Sequence, residues 1–196
     1  MLSLVLGSGS PRRAELLTQV GLQFQIESPA IDETIQPQEN PISYVERMST
    51  TKLATILEKH GANEQIVVLC ADTIVVHNNV ILGKPASDTE SVEMLQALSG
   101  GSHRVLTSVS VGDMTGLTKS SCIETVVEFR TLTDAEIGAY CLLGEGRDKA
   151  GSYAIQGLGA IFVSAIHGSY SNVVGLPLME SVSILNELGI NTLIDK

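Results

Sequence analysis

The chain has 196 residues, of which 43% are hydrophobic and 17% charged. This is the composition of a folded globular protein, with chain enough for one large domain or two small lobes. A formal net charge of −10 argues against a duplex-binding surface, and 4% aromatics without tryptophan argues against a stacking platform for single-stranded nucleic acid.

The opening LSLVL run lacks a charged n-region and breaks at Gly7, so it reads as a buried strand over residues 2–6 rather than a signal peptide. Ser10 stands where an N-cap belongs and Pro11 where the first helical residue belongs. Leu16, Leu17 and Val20 then form a helical apolar face that Gly21 ends. LQFQIESPA is expected to be a second strand, followed by the polar, turn-prone IDETIQPQENP. A helix is expected from Asn40–Pro41 to about Lys59, with Val45, Met48 and Leu53 turned inward.

Two apolar runs flank ADT at residues 71–73, the first placing Asp72 at the carboxyl end of a buried strand, the second leading to a hairpin turn at Asn78–Asn79. Capping boxes at Ser87/Glu90 and Thr133/Glu136 open two further helices, the second ending near Gly144. Between them lie two long strands joined across GDMTG. YAIQGLGAIFVSAIHGSY reads as strands separated by glycines, and PLMESVSILNELG as a last helix. There is no internal repeat, linker or low-complexity tract, and the expected class is mixed α/β.

Several stretches carry chemistry. In the first turn of the opening helix, Arg12 and Arg13 oppose the helix dipole unless an anion compensates them. Ser8 and Ser10 add hydroxyl donors. The same arginines could instead pair with acids such as Glu15 or Asp32. Asp72 could hold a divalent ion or orient a water, or simply cap a strand end, and Thr73 could hydrogen-bond a substrate. Glu33 offers a second carboxylate for a divalent metal, or is an ordinary loop acid. Lys84 and Lys149 are candidate phosphate contacts, and the Gln156 amide, both donor and acceptor, can read a base edge. His60, His77, His103 and His167 lack metal-ligand spacing. Cys70, Cys122 and Cys141 form no paired motif, which suits reduced thiols in a cytoplasm. No apolar run reaches membrane-spanning length.

Together, SGSPRRAELL, IDE, the lysine of STTKLA, ADTIV, LGKP, LSGGSHRVLT, FRTLT, DKAGSYAIQG and SYSNVVGLPL make the chain resemble the Maf family of nucleoside triphosphate pyrophosphatases along almost its whole length. DKAGSYAIQG looks like the branch acting on dTTP and UTP rather than the 7-methyl-GTP branch. The resemblance implies one Maf-like domain over 1–196, an elongated mixed sheet flanked by helices, and two lobes with a central cleft. It further implies a homodimer and hydrolysis of a nucleoside triphosphate, such as a modified pyrimidine nucleotide, to the monophosphate and pyrophosphate with Mg²⁺ or Mn²⁺. Neither a nucleic acid nor a membrane is an expected partner. By the resemblance Asp72 is the proton acceptor, Arg12, Thr73 and Gln156 choose the nucleotide, and Ser8, Arg13, Lys52, Lys84 and Lys149 contact phosphates. Glu33 and Asp72 hold the metal, and which of the two is the base stays open. A nucleotide-sensing role in cell-division control is the alternative outside catalysis. The chain departs from the family's pattern at Gly7, where alanine is common, at Cys70, where glycine often precedes ADT, and in the lead into Lys52.

Overall fold

LSLVL does form a strand, β1 (Ser3–Leu6), in the computed structural model of the chain, which describes residues 2–61 and 64–192. Its parallel neighbours β2 (Phe24–Ile26) and β3 (Ile66–His77) pair with its two edges, and Leu4, Val5 and Leu6, which point to alternate faces, are all buried, so its apolar run is continuous. Helix α1 (Pro11–Gln19) makes the crossover from β1 to β2, with Ser10 as N-cap residue and Pro11 at the first helical position. Gly21, at φ 75°, donates its N–H to Thr18 O and closes the helix. Helix α2 (Pro41–Leu57) starts where the Asn40 side chain accepts from Ser43 N at 2.9 Å. Val45, Met48 and Leu53 on it are buried as expected, and so is Ile56.

The residues fall into two compact units. The first holds the chain up to Asp72, residues Thr107–Ile123 and the chain from Gly175. Val5, Leu53, Ile56, Ile66, Val68 and Cys70 form a core cluster in it.

The second unit holds Thr73–Leu106 and Glu124–Val174. Here β3 turns through Asn78 and Asn79, both at positive φ, into the antiparallel strand β4 (Val80–Leu82). Helix α3 (Asp88–Leu98) is followed by strands β5 (Ser102–Asp113) and β6 (Thr118–Phe129), which continue through both units. Helix α4 (Asp134–Leu143), strand β7 (Val163–His167), antiparallel to β6, and helix α5 (Tyr170–Val174) complete it. Its core sets Phe129 edge-on to Tyr153, and Tyr140 edge-on to Phe162, each at 4.9 Å between centroids. The last helix, α6 (Leu178–Glu187), belongs to the first unit. The seven strands form one mixed sheet in the order β2-β1-β3-β5-β6-β7, with β4 paired to β3, and helices flank it, so the fold is mixed α/β as expected.

Three local expectations are corrected. Asp72 is not at the end of a strand: β3 runs unbroken from Ile66 to His77, because its backbone is paired at both ends and its polar residues need not interrupt it. Ser87 caps α3 by accepting from Glu90 N, but the Glu90 carboxylate returns to Ala86 N, so the reciprocal half of the box is missing. Residues 153–162 are not strand. Turns from Gly157 N to Ala154 O and from Ala160 N to Gly157 O lead into a 3₁₀ segment over Leu158–Phe162, and β7 alone follows as strand.

Candidate functional site

The ladder between β1 and β3 stops at Leu69, and the hairpin ladder with β4 begins at Val75. Asp72 and Thr73 therefore lie on a stretch of β3 that neither β1 nor β4 covers. Both are partly buried.

In the first unit, Lys52 on α2 reaches Asp72. Its Nζ donates to Asp72 Oδ1 at 2.6 Å and lies 2.8 Å from Glu33 Oε1. One ammonium thus bridges two carboxylates carried by separate segments. Lys52 and Asp72 are largely buried, with side-chain exposures of 11% and 13%, whereas Glu33 is 57% exposed. Burying one carboxylate against one ammonium avoids the cost of a lone buried charge.

The Glu33 loop is held from α2. Tyr44 Oη donates to the Glu33 carbonyl at 2.9 Å, and Arg47 Nη2 donates to the Thr34 carbonyl at 3.0 Å. Arg47 is in turn gripped by both carboxylate oxygens of Glu39, at 2.6 and 2.7 Å. Burial, with the charges of Asp72 and Glu33, pushes the Tyr44 hydroxyl up to about 12, so it remains a donor at neutral pH. Sequence reasoning missed Tyr44, Arg47 and Glu39. Tyr44, Met48 and Lys52 recur every fourth residue of α2 and share one face, a signal that points to Tyr44. No local pattern announces the Arg47–Glu39 pair.

At the opening turn, Arg13 does not serve as a solvated surface charge. Its Nη1 donates to Ser8 Oγ at 3.0 Å and its Nε to the Gly175 carbonyl at 2.8 Å. Ser8 Oγ also accepts from Ser10 N at 3.2 Å. Burial lowers the Arg13 pKa from its ordinary value, and the charge of Asp72 pulls the other way. Arg12, beside it, is half-buried and has no side-chain hydrogen bond or ion pair among the described residues.

The second unit carries the other candidates. Thr73 follows Asp72 on β3. Lys84 is exposed just after β4, and Gly151 N donates to the Gly83 carbonyl at 3.2 Å, tying the Lys84 segment to the one that follows Lys149. Lys149 Nζ donates to the Glu145 carbonyl at 2.8 Å and to Asp148 Oδ1 at 2.5 Å. Gln156 is exposed. Neither it nor Lys84 has a side-chain hydrogen bond or ion pair among the described residues.

The donor set at Glu33 and Asp72 fits a hard divalent cation, which takes carboxylate oxygens and completes its shell from water and phosphate. Among the described residues no group of three or more His, Cys, Asp or Glu side chains could hold a metal. Two carboxylates therefore suit an ion shared with a bound phosphate chain better than one caged by protein alone.

The family described as Maf-like protein matches residues 3–188 of the chain. A dTTP/UTP pyrophosphatase of Colwellia psychrerythraea is 46% identical over 188 residues, covering 95% of this chain and 88% of that one. A protein of the same name from Neisseria meningitidis serogroup B is 46% identical, covering 96% and 95%. One from Shewanella oneidensis is 47% identical, covering 96% of this chain and all of the other. No helix among the described residues is long and apolar enough to cross a membrane.

Proposed function

Because the chain belongs to the Maf family, we propose that it is a nucleoside triphosphate pyrophosphatase that hydrolyses dTTP and UTP to the monophosphate and pyrophosphate. The chemistry rests chiefly on one observation, the convergence of Glu33 and Asp72 on Lys52. The choice of substrate rests on the names of the relatives and on the DKAGSYAIQG segment.

The reaction adds water across the bond between the α- and β-phosphates. It needs positive groups on a polyanion and a positioned water, and no covalent nucleophile. Ser8, Arg12 and Arg13 at the start of α1 offer donors and charge to the phosphates, as do Lys52, Lys84 and Lys149. Only local charge is required, so a net acidic protein can bind the substrate. Asp72, fixed on a strand and hydrogen-bonded by Lys52, is in this reading the group that accepts a proton from the attacking water. Glu33, on a loop braced by Tyr44 and Arg47, completes the acidic pair. Mg²⁺ or Mn²⁺ held by Glu33 and Asp72 would neutralise phosphate charge. Thr73 and Gln156, with Arg12, discriminate the nucleotide in this reading.

The same reading places the enzyme in the cytoplasm, where its free cysteines stay reduced, and makes it a homodimer, which sedimentation velocity would read directly. The deciding experiment measures pyrophosphate release from dTTP, UTP, CTP, GTP and 7-methyl-GTP with Mg²⁺ or Mn²⁺, and again with EDTA. Metal-dependent release from dTTP and UTP is expected. Release from 7-methyl-GTP alone would move the protein to the other branch, and nucleotide binding without release would make it a sensor.

A further inference from the structure

Gln156 projects from a segment with little regular structure, yet a base-reading amide must be held still to discriminate. What holds it is on a different element. Glu145 follows α4 and turns its carboxylate into the backbone just after Gln156. Leu158 N donates to Glu145 Oε1 at 2.9 Å, and Gly159 N donates to Oε2 at 3.1 Å. These are the free amides at the start of the 3₁₀ segment, and Gly157, its N-cap residue, supplies no side chain to satisfy them. Glu145 caps that segment from outside it.

Three further contacts converge on Glu145. Tyr140 hydrogen-bonds the Glu145 carboxylate, and the Tyr140 hydroxyl also accepts from Ala154 N at 3.0 Å, on the other side of Gln156. The Glu145 carbonyl accepts from Lys149. Gly157 is packed so closely that a Cβ there would overlap the Glu145 carboxylate. Burial opposes ionisation of Glu145, but the Leu158 amide, the Tyr140 hydroxyl, the Gly159 amide and Lys149 outweigh it and hold the carboxyl below its ordinary value. The group is thus a charged acceptor at neutral pH, the form that binds amides most strongly.

We propose that Glu145 is a positioning residue for base selection: by capping the backbone at Leu158 and Gly159 it fixes Gln156 and sets how well the enzyme separates dTTP and UTP from other triphosphates. This rests on the reading of the chain as a pyrophosphatase with Gln156 at the base. It also explains the glycine after Gln156 as space for a carboxylate, where a nucleotide-binding glycine would leave space for ligand.

The test compares Glu145→Ala, Glu145→Gln and Gly157→Ala in the full-length protein by amide exchange and by steady-state kinetics. In Glu145→Ala the Leu158 and Gly159 amides should exchange about tenfold faster or more, with the amides of β1 unchanged. KM for dTTP and UTP should rise by roughly fivefold or more with kcat little altered, and the preference over CTP and GTP should narrow. Glu145→Gln, which keeps one carbonyl acceptor, should restore part of both effects. Gly157→Ala should damage selectivity in the wild-type background and far less when combined with Glu145→Ala. Unchanged exchange at Leu158 and Gly159 would overturn the proposal. So would faster exchange with KM and base preference intact, the mark of a purely structural cap. A wild type that releases no pyrophosphate from any nucleotide would instead overturn the functional reading and the selectivity role with it. The exchange arm would still decide whether Glu145 holds the loop.

Discussion

Gly7 and Cys70 are complementary halves of one packing unit: a Cβ on Gly7 would overlap the Cys70 sulfur, and the Gly7 N–H donates to the Leu69 carbonyl at 2.8 Å. In the sequence these residues stand as two separate departures from the family's usual alanine and glycine, but the structure makes them one exchange of volume between the residue that follows β1 and the middle of β3. Burial pushes the Cys70 thiol up to about 12, so it behaves as a small hydrophobe rather than a nucleophile. Gly7→Ala should therefore destabilise the protein by about 1–3 kcal/mol through overpacking. In a Cys70→Ala background the same change should be close to neutral. Urea unfolding of the four proteins in this cycle gives the coupling, and additive effects would show that the two positions are independent.

Asp72→Asn keeps the shape of the side chain and leaves Lys52 its contact with Glu33, so the fold should survive. What is lost is the carboxylate proposed to accept a proton. Turnover of dTTP should fall by about 10²–10⁴-fold, with the melting temperature within a few degrees of wild type. Turnover near the wild-type rate would remove Asp72 from the catalytic role and leave Glu33 as the base to be tested next.

The elements that were legible in the sequence are those written in local chemistry. Asn78–Asn79 supplies the positive φ that a tight hairpin needs, Asn40–Pro41 starts a helix, and Thr133 with Glu136 forms a complete reciprocal cap. The polarity of Asp72 looks like a strand boundary in the sequence, whereas strand continuity is decided by ladder partners distant in sequence. The stretch around Gln156 looks like strand in the sequence because YAI and AIF are apolar and β-prone, but Gly157 and Gly159 are there for turns and close packing. Asp72 and Glu33 stand out in the sequence as carboxylates suited to a metal and the family pattern adds Lys52, but nothing local shows their meeting at one ammonium. Glu145 and Arg47 carry no local signal, since each acts on backbone that only tertiary folding brings near.

Gln156→Glu replaces an amide donor with a second acceptor and adds a negative charge at an exposed position, where the core is untouched. Stability should change little. If Gln156 reads the base edge, the order of kcat/KM across dTTP, UTP, CTP and GTP should change, with the loss for dTTP and UTP of about 10-fold or more. The same ranking with a uniform fall would mean that the new charge repels phosphate, and would take base reading away from Gln156.

His103 on β5 is 2% exposed, edge-on to Phe129 at 4.9 Å and to Tyr153 at 5.4 Å. It shares a 2.8 Å hydrogen bond with the Tyr153 hydroxyl, and its Nδ1 has no partner among the described residues. Burial, with a smaller contribution from His77, pushes its pKa from 6.5 down to about 4. The folded state thus resists a proton that the unfolded chain takes up. Stability from this group is complete above pH 6.5 and is lost as pH falls towards 4, with a total of about 3 kcal/mol. His103→Gln cannot be protonated and should lower stability at pH 7.5 while flattening this part of the acid limb. Unfolding free energies of the two proteins from pH 7.5 to 4 should therefore converge on acidification. A constant gap across that range would mean that His103 titrates with the same pKa in the folded and the unfolded chain.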